Sequence, residues 1–317
     1  MSEKLTAERM DTLIRQPDAG EQLLAIAQPK TVEDLRQIMS VVSEMTNADL
    51  PEVGATVVEN EPVDAHVRAT ITKPAGDGPF PVLCFYHGGA WVCGSSRDYR
   101  KLHLRIAERG ILVVSIDYRL APEFPFPAGF LDCVAGYRWT VDNCPRWGGD
   151  PARVAVGGDS AGGNLAAAVA AELHGEALAP KATALIYGAF YFGAIPEGEP
   201  EGEPGGDDAS ADVEDAEEDD IAPIAYLGDR FDELIHDPRV SPILAADRLP
   251  PSHVVVGSED PLVRHAESLV AELETHGVPH EYHVDADMPH GYFQFEMLPL
   301  CRPAIDRMCA FLKRELA

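Results

Sequence analysis

The chain has 317 residues, a 45% apolar fraction and a formal charge of −28 at pH 7, a length that α/β folds reach around one core and an apolar content able to fill it. Thirteen carboxylates fall within residues 197–220, which hold no Lys or Arg, leaving −15 for the rest; so acidic a surface excludes nucleic-acid backbones and anionic membranes as natural partners. No apolar stretch approaches the about 20 residues of a membrane span, and the polar start Met-Ser-Glu-Lys-Leu-Thr predicts a soluble, cytoplasmic protein without an export signal.

Residues 1–48 read as helical, most clearly from Thr31. There Thr31 and Asp34 form a capping pattern, and Val32, Leu35, Ile38, Met39, Val42 and Met45 trace one apolar face. Residues 54–73 alternate as an antiparallel hairpin that stops at Lys73-Pro74. Short apolar runs then alternate with helical ones: 82–86, 98–109, 112–116, 128–141, 154–156, 164–174 and 182–187, and later 254–256, 262–276 and 280–284. Such alternation predicts βαβ units in one α/β domain with a mostly parallel, doubly wound sheet. Residues 196–220, rich in Glu-Pro and Glu-Gly steps, cannot bury enough apolar surface to order themselves and are expected to form a disordered acidic insertion. Helical periodicity resumes over 221–235. Six cysteines, Cys84, Cys93, Cys133, Cys144, Cys301 and Cys309, lack paired metal-type spacing and are expected to be free, buried thiols.

The residues that carry chemistry cluster after predicted strands. Gly158-Asp159-Ser160-Ala161-Gly162 lies between the strand Val154-Ala155-Val156 and a helix-forming, alanine-rich run. A strand that turns into a helix within three residues tolerates only small neighbours and presents its serine at the tip, so Ser160 is the expected nucleophile. Serine needs a base, and the base needs an orienting acid. His253-Val254-Val255-Val256 leads into Glu259-Asp260-Pro261, and the strand at 280–284 leads into Asp287-Met288-Pro289-His290-Gly291. Asp260 is therefore the expected orienter and His290 the expected base, with Glu259 and Asp287 as weaker competitors for the acid. His280 and His283 have a metal-like spacing, but in a strand they point to opposite faces. No metal or cofactor is expected, since phosphate-loop, dinucleotide and His-Glu-x-x-His patterns are all missing.

Tyr86-His87-Gly88-Gly89-Ala90-Trp91 follows another strand. Its bare backbone can approach a developing oxyanion beside the Ala161 N–H, so Gly88, Gly89 and Ala161 are the expected oxyanion donors. Trp91, Asp159 and Tyr187 are the substrate-pocket candidates.

These segments, together with Asp117-Tyr118-Arg119-Leu120-Ala121-Pro122-Glu123, Gly163-Asn164, Asp260-Pro261-Leu262 and Ser241-Pro242-Ile243, resemble the hormone-sensitive-lipase-like branch of α/β-hydrolases, the bacterial short-chain carboxylesterases. The resemblance runs from about residue 54 to the C-terminus. It implies an α/β-hydrolase fold, a Ser160–His290–Asp260 triad, a structural role for 117–123 with Arg119 tying loops, and a helical cap built from 1–48 and about 190–240. Ala90 stands where many relatives carry a third glycine. The expected activity is hydrolysis of short-chain alkyl or aryl esters through an acyl-enzyme. Amide deacetylation and lactone opening use the same residues, and a binding-only member of the fold is a further alternative. The expected partner is a small-molecule ester, and a homodimer is left open.

Overall fold

The computed structural model describes residues 29–193 and 221–317; the helical start expected within 1–28 and the acidic insertion at 196–220 lie outside the described residues. Eight strands form one sheet: β1 (Thr56–Pro62), β2 (Arg68–Lys73), β3 (Phe80–Tyr86), β4 (Leu112–Asp117), β5 (Gly149–Asp159), β6 (Thr183–Ile186), β7 (Ser252–Glu259) and β8 (His280–Pro289). Their order is β1-β2-β4-β3-β5-β6-β7-β8. β1 and β2 make the expected antiparallel hairpin, β2 is antiparallel to β4, and every pairing from β4 to β8 is parallel. Central strands are continuous apolar runs, as in β3, where every residue is buried, because helices cover both faces of a parallel sheet.

Eight helices accompany the sheet in the described residues: α1 (Val32–Thr46), α2 (Arg100–Ala107), α3 (Ala128–Asn143), α4 (Ala161–Glu172), α5 (Ile221–Leu227), the short α6 (Phe231–Leu234), α7 (Val263–Thr275) and α8 (Cys301–Glu315). α2 adjoins α8 and α3 adjoins α4, giving helical layers on the sheet. No described helix is long and apolar enough to cross a membrane. All six cysteines are free and buried. α1 begins as its sequence dictates, with the Asp34 N–H donating to Thr31 Oγ1 at 3.1 Å and Thr31 Oγ1 donating to Asp34 Oδ2 at 2.8 Å.

Two features depart from the sequence expectation. α8 was not anticipated, although Cys301, Ala304, Ile305, Met308, Cys309 and Leu312 make one buried face at helical spacing. β8 also continues to Pro289 instead of ending near 284. Its polar stretch hides a strand because Asp285 is paired: it accepts from Tyr292 Oη and from Arg307 Nη2 of α8, each at 2.6 Å.

The strand order reverses around β3, so the connections after β3 and β5 diverge and leave a crevice at the carboxyl ends of the strands. Beneath it, Arg119 donates Nε and Nη2 to the Asp132 carboxylate of α3 at 2.8 and 2.7 Å, and its backbone N–H to the same group at 2.9 Å. This two-pronged bond fixes the β4–α3 connection. Asp132→Ala leaves the guanidinium without its counter-charge and should cost about 2–3 kcal/mol, below the value for a fully buried pair because Arg119 is partly exposed. Arg119→Lys, which cannot reproduce the fork, should also lower the melting temperature; a urea or thermal melt reads both.

Candidate active site

β5 ends at Asp159 and α4 begins at Ala161, so the whole reversal falls on Ser160, at φ 53° and ψ −121°. A non-glycine residue held there stores roughly 1–3 kcal/mol of strain. Its N–H is anchored on Ile186 O at 2.9 Å. Gly162 lets α4 lie against the end of β3, since a Cβ there would stand 1.9 Å from the Tyr86 carbonyl oxygen. The serine is thus lifted above the sheet edge by packing as well as by its own turn.

β7 and β8 bring the other two predicted residues to the same edge. His290 Nε2 lies 3.0 Å from Ser160 Oγ, and His290 Nδ1 lies 2.8 Å from Asp260 Oδ2. The ionised carboxylate only accepts, so Nδ1 carries the proton and Nε2 is left to accept from the serine. The other Asp260 oxygen accepts the Leu262 N–H at 2.8 Å. Glu259 and Asp287 do not compete: both are exposed, and the Asp287 N–H and the Glu259 carboxylate are tied to Ser258 Oγ at 2.9 and 3.1 Å. Burial opposes a charge on His290, but the charge and hydrogen bond of Asp260, with a further contribution from Asp159, outweigh it and hold the imidazole pKa above its ordinary value.

The turn after β3 corrects one expectation. The Gly88 N–H donates to Asp159 Oδ1 at 2.8 Å and to Tyr99 Oη at 3.0 Å, so it is spent on holding the turn. Among the described residues, the N–H groups of Gly89, Ala90 and Ala161 have no acceptor, and Gly89 and Ala90 line the same cavity as Ser160 and His290. Sequence shows three consecutive donors; which of them face the serine depends on the turn's dihedrals. Gly89 sits at φ 118°, where a Cβ would stand 2.1 Å from Cys93 O. Ala90 adopts φ 53° without glycine's freedom.

Asp159, a substrate-pocket candidate, lies in the lining of this cavity. Its carboxylate, however, is spent on the Gly88 N–H and on the Tyr99 hydroxyl, which donates to Oδ2 at 2.9 Å. Burial drives its pKa up to about 6, against those two bonds and the nearby His290, which all favour the charge. No motif marked Tyr99 for this part. Trp91 and Tyr187 are not in the cavity wall. Trp91 is buried, stacked on Tyr226 of α5 at 4.9 Å, and Tyr187 is fully buried with its ring edge-on to His290 at 4.9 Å. Trp91 belongs to the glycine turn and Tyr187 ends the strand run at 182–187, and both are packed outside the cavity lining.

The cavity itself has a volume of about 310 Å³. Leu35, Ile38, Met39 and Val42, the apolar face of α1, line one side, and Phe295, Pro261 and Pro289 line others. α1 is held by Arg36, whose Nη1 and Nη2 donate to Glu123 at 2.8 and 2.6 Å and whose Nε and Nη2 donate to the carbonyls of Val92 and Ala121 at 2.9 and 3.2 Å. A nucleophile, a base with its acid, converging backbone donors and an apolar recess together suit attack on a carbonyl carbon.

Residues 83–294 match a family described as alpha/beta hydrolase fold. The chain is 36% identical over 248 residues to Carboxylesterase NlhH of Mycobacterium tuberculosis, covering 74% of each chain. Among solved structures it is similar to the thermophilic carboxylesterase EstE1 from a metagenomic library, with 29% identity, a TM-score of 0.77 and coverage of 90% of this chain and 98% of the other. An esterase of Pyrobaculum calidifontis superposes with a TM-score of 0.75 at 28% identity, covering 99% and 100%.

The proximity of Asp159 to His290 can be read without any substrate. In side-chain ¹⁵N NMR, His290 should titrate above the ordinary value of about 6.5, and Asp159→Asn should move it downward by removing a negative charge. An unmoved His290 titration would show that Asp159 has no electrostatic hold on it.

Proposed function

The chain belongs to the alpha/beta hydrolase fold family, in its hormone-sensitive-lipase-like branch, and on that premise we propose that it hydrolyses short-chain alkyl or aryl carboxylic esters through an acyl-enzyme on Ser160. The observation that carries this reading is the pair of hydrogen bonds linking Asp260, His290 and Ser160 at the mouth of an apolar cavity.

In the proposed cycle, His290 Nε2 takes the Ser160 proton as Oγ attacks the ester carbonyl, and Asp260 stabilises the imidazolium so formed. The oxyanion accepts from the N–H groups of Gly89, Ala90 and Ala161, the last at the positive end of α4. Collapse of this intermediate breaks the bond to the alcohol oxygen, which leaves with the proton from His290. Water then gives a proton to His290 as it attacks the acyl carbon, and collapse of the second intermediate breaks the bond to Ser160 Oγ, which takes the proton back from His290 as the acid is released.

α1, with α5 and α6 beside it, serves in this reading as a helical cap. Its apolar face closes the acyl recess at about 310 Å³, the small end of the roughly 300–1,000 Å³ range of ligand sites. That size supports short acyl groups, and the carboxylesterase names of NlhH and EstE1, which are matched over most of their length, favour esters over amides or lactones.

p-Nitrophenyl acetate and butyrate should be turned over well and the laurate poorly, while Ser160→Ala should lower kcat by about 10⁴–10⁶-fold and abolish labelling by a fluorophosphonate. Faster turnover of laurate than of butyrate would reject the short-chain assignment. Met39→Ala or Leu35→Ala, which enlarge the recess, should shift preference toward longer acyl chains at nearly constant acetate activity. Since only neutral His290 can take the serine proton, kcat/KM should be full above its raised pKa and fall as pH drops through it, a limb read from the pH–rate profile.

A further inference from the structure

His253 of β7 is fully buried, yet neither of its ring nitrogens has a hydrogen-bond partner among the described residues. An imidazole always carries at least one N–H or lone pair that needs satisfying, and a buried one left alone is costly. The register places Glu281 of β8 directly opposite His253, with His283 two residues further along the same face. Glu281 Oε2 lies 3.7 Å from His253 Nδ1 and 3.8 Å from His283 Nε2, too far for hydrogen bonds. His283 Nε2 is likewise buried and unpartnered among the described residues.

We propose that His253, Glu281 and His283 form a binding site for one divalent transition-metal ion of the zinc class, clipping β7 to β8. One ligand atom from each lies within 4.8 Å of the others. An ion about 2.0–2.2 Å from nitrogen and oxygen donors spaces its tetrahedral ligands by roughly 3.3 Å, so the Glu281 contacts need to close by only a few tenths of an ångström. His283, partly exposed, has room to turn inward. Two imidazoles and one carboxylate suit zinc or cobalt over the oxygen-seeking magnesium and calcium, and the open side of Glu281 and His283 admits a water as fourth ligand. The second carboxylate oxygen, Glu281 Oε1, forms an ion pair with Arg314 Nη2 of α8 at 2.9 Å, which favours Oε2 turning toward the imidazoles. The spacing that looked metal-like in sequence, His280 with His283, is split between faces; the usable pair is His253 with His283, across two strands.

The clip would act on the edge strand of the sheet, seven residues before His290, and so bears on stability, not on the chemistry at Ser160. The test uses the full chain, dialysed against EDTA and then metal-free buffer containing excess Mg²⁺ to occupy the acidic tract. Zn²⁺ calorimetry should give one site per chain, Co²⁺ should develop a tetrahedral d–d absorption band, and saturating Zn²⁺ should raise the melting temperature by about 5 °C or more. His283→Ala and Glu281→Gln, at partly exposed positions, should each weaken binding at least tenfold without changing metal-free stability, whereas His280→Ala on the other face should bind as the native chain does. Absence of a stoichiometric site in the native chain, or an unchanged site in His283→Ala, overturns the proposal.

Discussion

A chain that leaves a strand and enters a helix within one residue must force that residue into a conformation it would not choose, and Ser160 at φ 53° and ψ −121° is that residue. The strain persists because its surroundings over-determine it. Ile186 holds its N–H, α4 is buried along nearly its whole length, and Gly162 allows that helix to rest on the Tyr86 carbonyl. β3 and β5 lie side by side in register, Tyr86 opposite Gly158, so the same close approach sets how far the turn after β3 stands from the serine. The positions of Ser160 and of the facing N–H groups therefore follow from one packing contact.

Asp159 gives that contact a polar counterpart. It is the last residue of β5, and its carboxylate crosses to the Gly88 N–H and the Tyr99 hydroxyl. A buried acid is expensive unless its oxygens are satisfied, and both are satisfied here by groups of the β3 turn and the chain that follows it. The same negative charge adds to that of Asp260 in favouring a protonated His290. One carboxylate thus fixes the turn and raises the imidazole pKa of His290, while Asp260, with one oxygen on His290 and one on Leu262, fixes the imidazole's orientation.

What could be read from sequence was what local geometry dictates. The elbow demands small residues around a serine, each triad partner must follow a strand, and a helix face repeats every three to four residues, so Ser160, Asp260, His290 and the apolar side of α1 were all legible. Features that depend on register or on dihedrals were not. Gly88 and Gly89 are the same residue type side by side, and only the turn's conformation decides that the first binds Asp159 while the next faces the cavity. Trp91 follows the glycine turn and Tyr187 ends the predicted strand at 182–187, but that both are buried outside the cavity wall is a tertiary fact. His253 and His283 are 30 positions apart and share a face only because β7 and β8 pair in parallel. The polar end of β8 concealed a strand because its partner, Arg307, lies on a helix that no motif announced.

Arg36 joins the roof of the cavity to its floor. Its planar head reaches from α1 to the Val92 and Ala121 carbonyls and the Glu123 carboxylate, so it grips both the segment that follows Ala90 and the 117–123 segment braced by Arg119. Ala121 in turn donates its N–H to the Trp91 carbonyl at 2.9 Å. A displacement of α1 large enough to widen the recess would have to break this fork or drag the β3 turn with it. Access to the recess and alignment of the backbone donors are consequently coupled through one side chain: the helix that lines the recess also bears on the turn that carries the Gly89 and Ala90 N–H groups.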